Sequence, residues 1–156
     1  MKKATLLLIT MILGVTVYAQ EFNDYLEVSR QVLKTEKKAL IAEVMQLTSE
    51  ESTAFWPIYN EYEAKKYEVN TVYFKMVQEF SDNFDTMKGE KATEIYKQVL
   101  DVEMQLLKLE KTYAKKFAKV LTPQKTFRYL QAENKIKAMI DAEMALQIPL
   151  LEAIED

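Results

Sequence analysis

The scarcity of helix-breaking residues constrains this chain more than any other feature. Beyond residue 20 the sequence contains one glycine, Gly89, and three prolines, Pro57, Pro123 and Pro149. Because glycine and proline interrupt helices more strongly than any other residues, long uninterrupted stretches remain free to be helical. The sequence therefore predicts an all-α protein built from four long helices.

Apolar periodicity and capping residues predict where these helices begin and end. Thr48 and Glu51 have the S/T-x-x-E spacing of a capping box, which predicts a helix start. Thr122 suits an N-cap and Pro123 suits the first helical position, where a missing N–H costs nothing. Pro57 lies inside the second pattern and predicts a bend rather than an end. The predicted helices span about residues 24–46, 50–85, 90–120 and 123–147.

The apolar side chains that recur with helical period are the predicted core. On the second helix they occupy a stripe about 100° wide: Phe55, Ile58, Tyr59, Tyr62, Val69, Tyr73, Met76, Val77, Phe80 and Phe84. The inward residues predicted for the other two long helices are Ile95, Tyr96, Val99, Leu106, Leu107, Tyr113, Phe117 and Val120, then Phe127, Leu130, Ile136 and Ile140.

A second aromatic line, formed by Trp56, Tyr67 and Phe74, lies to one side of that stripe on the second helix. Three interpretations stay open. The line packs inside the monomer as part of a broad helix face, forms the seam of a homodimer, or forms an exposed surface for other proteins. These three residues are the candidate protein-binding residues.

The composition excludes most catalytic and metal chemistry. With no histidine and no cysteine, the chain cannot hold a Ser-His-Asp or Cys-His nucleophile system, a zinc finger or a histidine-ligated haem. We expect no enzyme activity, no cofactor and, with a net charge of −3, no nucleic-acid partner. Glu103 and Glu110 lie near the predicted inner stripe of the third helix and predict a salt-bridged interface; a carboxylate-metal protein is the remote alternative.

The first 19 residues have the pattern of an export signal. Lys2 and Lys3 precede an apolar run over residues 6–17, and the small residues Val17 and Ala19 occupy the positions that a signal peptidase reads. We expect cleavage after Ala19, leaving residues 20–156 as one all-helical domain in the periplasm or outside the cell. No later run approaches the roughly 20 apolar residues of a membrane span.

A short motif recurs along the chain. Leu47-Thr48 opens LTSEESTAFWPIYNEY, and Leu121-Thr122 opens LTPQKTFRYLQAENKIKAMI, which predicts two helix-LT-helix halves. These segments resemble the paired LTxxQ motifs of Spy/CpxP-like periplasmic helical proteins, some of which are labelled sensors of ECF-type sigma factors. Glu51 and Lys125 stand where that family has glutamine. The structural motif consists of Leu47, Thr48, Glu51, Leu121, Thr122 and Pro123. Of these, Thr48, Glu51, Thr122 and Pro123 are explained as helix caps.

The resemblance implies an elongated, hairpin- or cradle-like helical protein that is often dimeric. It also implies an ATP-independent chaperone or an envelope-stress factor, whose partners are unfolded or envelope proteins. The alternative is a regulatory sensor or adaptor that binds one dedicated partner, such as an ECF sigma/anti-sigma system. The resemblance does not separate these two functions.

Overall fold

The computed structural model describes residues 30, 31 and 33–151, without the side chain of Gln147. Within these residues the backbone forms helices and turns and no strand, which confirms the all-α class. The helices are α1 (residues 33–45), α2 (Ser49–Asp82), α3 (Gly89–Phe117) and α4 (Pro123–Gln147). The predicted signal peptide, residues 1–19, and the predicted start of the first helix lie outside the described residues.

Both predicted helix caps are present. The Thr48 hydroxyl accepts the Glu51 N–H at 3.2 Å, and the Glu51 carboxylate accepts the Thr48 N–H at 2.9 Å, which completes the capping box of α2. The Thr122 hydroxyl accepts the Lys125 N–H at 3.3 Å, and Pro123 is the first residue of α4. The two LT motifs therefore start α2 and α4, as predicted.

The helix boundaries differ from the prediction at two ends. Pro57 lies inside α2 without ending it, as predicted, but α2 stops at Asp82, and a single 3-10 turn follows. Gly89 begins α3 with φ of +52°, a left-handed conformation that favours glycine. α3 ends at Phe117, short of the predicted residue 120, because the hydrogen bonds then change from i→i−4 to i→i−3: the Lys119 N–H donates to the Lys116 carbonyl at 3.2 Å and the Val120 N–H to the Phe117 carbonyl at 3.0 Å.

The chain divides into two compact units, with the boundary between Val44 and Met45. In the second unit α2 and α3 pack side by side as a helical hairpin, and α4 follows α3 through the second LT motif. The hairpin is closed at its tip by the short connection over residues 83–88. The open end of the hairpin, where α2 begins and α3 ends, is also where α4 begins.

Aromatic rings fill the core at that open end. Phe55 and Tyr59 of α2, Phe117 of α3 and Tyr129 of α4 are each at most 2% exposed; we call these four residues the aromatic junction. The ring centroids of Phe117 and Tyr129 are 4.4 Å apart, and each lies 5.2 Å from the Phe55 ring. These contacts hold three helices together, since Phe55, Phe117 and Tyr129 come from α2, α3 and α4.

Three residues predicted to face inward are instead exposed. Tyr96, Leu107 and Phe127 are 62%, 60% and 63% exposed. On α3 the reason is that the apolar residues occupy two faces of the helix. With a rotation of 100° per residue, these faces are about 110° apart, and only one of them can pack against α2. The face that is buried contains Ile95, Val102, Tyr113 and Phe117.

Candidate protein-binding surface

An ion pair joins the two LT motifs. The Lys125 ammonium contacts the Glu51 carboxylate, although the two residues are 74 positions apart in the chain. Hydrogen bonds from Lys125 and from the Thr48 backbone N–H hold the pKa of the Glu51 carboxyl below its ordinary value. Glu51 and Lys125, each at the fifth position of its LT motif, are therefore each other's partners, and they place the starts of α2 and α4 side by side.

A second ion pair links α2 to α4 further along. The Lys66 ammonium lies 3.1 Å from the Glu133 carboxylate, whose residue is 7% exposed, and 5.1 Å from the centre of the Tyr62 ring. Burial, together with the negative charges of Glu133 and Glu63, raises the pKa of Tyr129 well above its ordinary range. α4 therefore carries a buried glutamate among aromatic residues. This end of the unit is a packed core that contains an ion pair between helices, and it is not an open binding site.

The hairpin tip carries an apolar groove of about 260 Å³. Its floor consists of Met76 of α2, Met87 of the connecting segment and Ile95 of α3, which are 3%, 6% and 8% exposed. Half-buried Phe80 and Val99 pack against these three residues. We call this feature the tip groove; apolar surface of this kind, with a rim in solvent, is typical of binding sites.

Two tyrosines and a short segment border the tip groove. Tyr73 and Tyr96 line it, and Tyr96 is 62% exposed. Ile148 and Leu151, which follow the end of α4, also line it. Sequence reasoning missed this site because its residues come from three separate stretches; the apolar residues that follow Pro149 are the one local signal that points to it.

A second apolar surface lies along the solvent side of α3. Leu100, Met104 and Leu107 are 45%, 52% and 60% exposed and are spaced four and three residues apart; we call them the α3 outer stripe. This spacing keeps all three on one helix face, in the pattern by which helices pair. Exposed Glu103 and Lys108 flank the stripe on its two sides.

The three candidate protein-binding residues all lie on α2, and each is half-buried. Trp56 makes edge-to-face contacts with the rings of Phe55 and Tyr59, with centroids 5.1 and 5.3 Å apart. Phe74 lies edge-on to Tyr73, with centroids 6.4 Å apart, and the Tyr67 carbonyl accepts the Thr71 hydroxyl. None of the three lines the tip groove. Their role in protein binding stays a prediction.

The predicted carboxylate pair is not inward-facing. Glu103 and Glu110 are both exposed on α3. Across residues 30, 31 and 33–151 no three or more acidic side chains converge in a way that could hold a metal ion. In the same part of the chain, no helix has the length and apolar character needed to cross a membrane.

Comparison with known proteins yields no relative. No protein-family model, no curated protein and no solved structure matches this chain. The geometry of the tip groove and of the α3 outer stripe is therefore the main evidence from which a function can be argued.

Proposed function

We propose that the protein is exported, has no enzyme activity and binds apolar segments of other proteins, as a Spy/CpxP-like ATP-independent chaperone or envelope-stress factor. One observation carries the proposal: the tip groove has an apolar floor of Met76, Met87 and Ile95, and its rim residue Tyr96 is 62% exposed. Accessible apolar surface of this kind on a protein usually marks an interaction site.

The composition of the groove suits weak and varied binding. Two of its floor residues are methionines, whose unbranched, polarisable side chains adapt to apolar groups of different shape. Binding through adaptable apolar contacts is reversible, and release of a bound segment then requires no ATP.

An aggregation-suppression assay with several unrelated unfolded proteins tests the proposal. The purified protein is expected to slow aggregation of all of them, and the Tyr96→Glu variant is expected to lose most of that protection. Phe127→Glu is the matched control, because Phe127 is an aromatic residue of nearly equal exposure, 63%, on α4 and outside the groove. If both variants protect the unfolded proteins from aggregation equally well, the tip groove is not the site of chaperone activity.

The regulatory adaptor is the second candidate, and the α3 outer stripe favours it. A single partner helix would pack its own apolar residues against Leu100, Met104 and Leu107 and pair charges with the flanking Glu103 and Lys108. A dedicated adaptor protects none of the unrelated clients. It is expected instead to retain one partner in a pull-down from the native envelope, and the Leu100→Ser/Leu107→Ser variant is expected to release that partner.

A further inference from the structure

The segment that follows α4 has an extended start fixed by its sequence. α4 ends at Gln147, and Ile148 has φ of −95° and ψ of 113°. Pro149 lacks an N–H and disfavours helical backbone at the preceding residue, which favours an end of the helix at this point. The Ile148 N–H makes the last bond of the helix, to the Met144 carbonyl at 3.2 Å. We call residues 148–151 the α4 tail.

Helix lengths explain why the α4 tail meets the tip groove. α2 and α4 begin side by side at the Glu51–Lys125 ion pair, but α2 has 34 residues and α4 has 25. At 1.5 Å per residue, α4 ends about 13 Å before α2 does. Four extended residues span up to about 13 Å, which is enough to cover that difference.

The side chains of the α4 tail divide between the groove and solvent. Ile148 is half-buried and Leu151 is 41% exposed, and both line the tip groove. Leu150, between them in sequence, is 91% exposed and does not line it. Two large aliphatic side chains three positions apart, on a chain segment that is not helical, thus form part of the wall of the groove.

We propose that the tip groove binds non-helical apolar segments with large aliphatic side chains at positions i and i+3, and that the α4 tail, which lies at the edge of the groove, closes into it and competes with them. The inference rests on the proposed function, because it specifies what the groove recognises and how access is regulated. The tail itself shows the chemistry of the occupant: an Ile and a Leu on a backbone that proline keeps out of a helix.

An internal occupant lowers the apparent affinity of the site without altering the site. A bound tail leaves the groove available to a client only for the fraction of time that the tail is displaced. Because the tail is attached at the end of α4, its effective concentration at the groove is high even when its intrinsic affinity is weak. Apolar segments of an unfolded client displace it when they offer more contact, and the tail returns as the client leaves.

Fluorescence anisotropy of a labelled peptide tests the competition. The probe is ALQIPLL, the sequence of residues 145–151, and the proteins are full-length wild type, Ile148→Ser/Leu151→Ser, and the control Leu150→Ser. If the tail occupies the groove nine-tenths of the time, the double variant binds the probe about tenfold more tightly than wild type. Leu150→Ser is expected to bind like wild type, because its side chain is already in solvent.

Further variants tie the effect to the groove and guard against misfolding. Adding Tyr96→Glu to the double variant is expected to remove the gained affinity, whereas adding Phe127→Glu leaves it. Helicity and the melting temperature report the fold of each variant. Should the double variant lose helicity, Leu151→Ser alone replaces it, since Leu151 is 41% exposed, with an expected gain of about threefold.

The outcomes separate this inference from the proposed function. If the folded tail variant binds the probe as weakly as wild type or more weakly, the inference is wrong. The aggregation assay alone then tests the chaperone proposal. Tighter binding by the tail variant that depends on Tyr96 supports the inference. If that gain occurs while no client is protected from aggregation, the inference stands and the chaperone proposal falls.

Discussion

Removal of the Tyr129 hydroxyl should stabilise this protein. Tyr129 is 0% exposed at the aromatic junction, and its hydroxyl has no hydrogen-bond partner among the described residues. A buried hydroxyl left without a partner costs about 1–3 kcal/mol of stability. Tyr129→Phe removes that cost and keeps the ring contacts with Phe55 and Phe117.

The expected gain is smaller than the full cost, because the missing oxygen leaves a small void. We expect the free energy of unfolding to rise by about 1 kcal/mol and the melting temperature to rise by about 2–4 °C. Urea unfolding followed by circular dichroism measures the change, with the midpoint rising and the slope unchanged.

A matched control and a clear refutation accompany this prediction. Tyr96→Phe removes the same oxygen from a residue that is 62% exposed, and its free energy of unfolding is expected to stay within about 0.5 kcal/mol of wild type. If Tyr129→Phe instead lowers stability by about 1 kcal/mol, the hydroxyl makes a net favourable hydrogen bond in solution. The reasoning from an unsatisfied buried hydroxyl would then be wrong.

Three further predictions concern alkaline stability, the first helix cap and the ion pair between the motifs. Burial raises the pKa of Tyr59 and Tyr129, so the folded chain keeps protons that the unfolded chain releases above a pH of about 10. The contribution of these two tyrosines to stability is therefore complete below that pH and falls above it. A free energy of unfolding that stays constant from neutral to alkaline pH would contradict this. Thr48→Ala removes the side-chain cap of α2 and is expected to lower the free energy of unfolding by about 1 kcal/mol, measured by urea unfolding against Thr48→Ser as the conservative control. No loss would mean that water satisfies the freed Glu51 N–H. Glu51→Lys sets two lysines together and should lower the melting temperature. Adding Lys125→Glu reverses the ion pair and should restore part of that loss. If the two substitutions instead lower the melting temperature additively, the two side chains do not interact.

The helices and their caps follow from local sequence. With one glycine and three prolines beyond residue 20, the backbone had few places to stop, and the LT motifs start α2 and α4 as predicted. These features could be read from the chain because a cap or a break depends on residues within one turn of one another. The inward positions of Phe55, Tyr113 and Phe117 also followed from helical period alone.

Tertiary structure decided which of several apolar helix faces became buried. α3 has two apolar faces, and only packing against α2 determined that Ile95 is buried and Tyr96 is exposed. The burial of Glu133 depends on Lys66, 67 positions away, and no periodicity reveals such a partner. The tip groove depends on the difference in length between α2 and α4, which brings Ile148 and Leu151 to the end of the hairpin. Each of these is set by long-range contact, whereas the sequence by itself determined the helices that make such contacts.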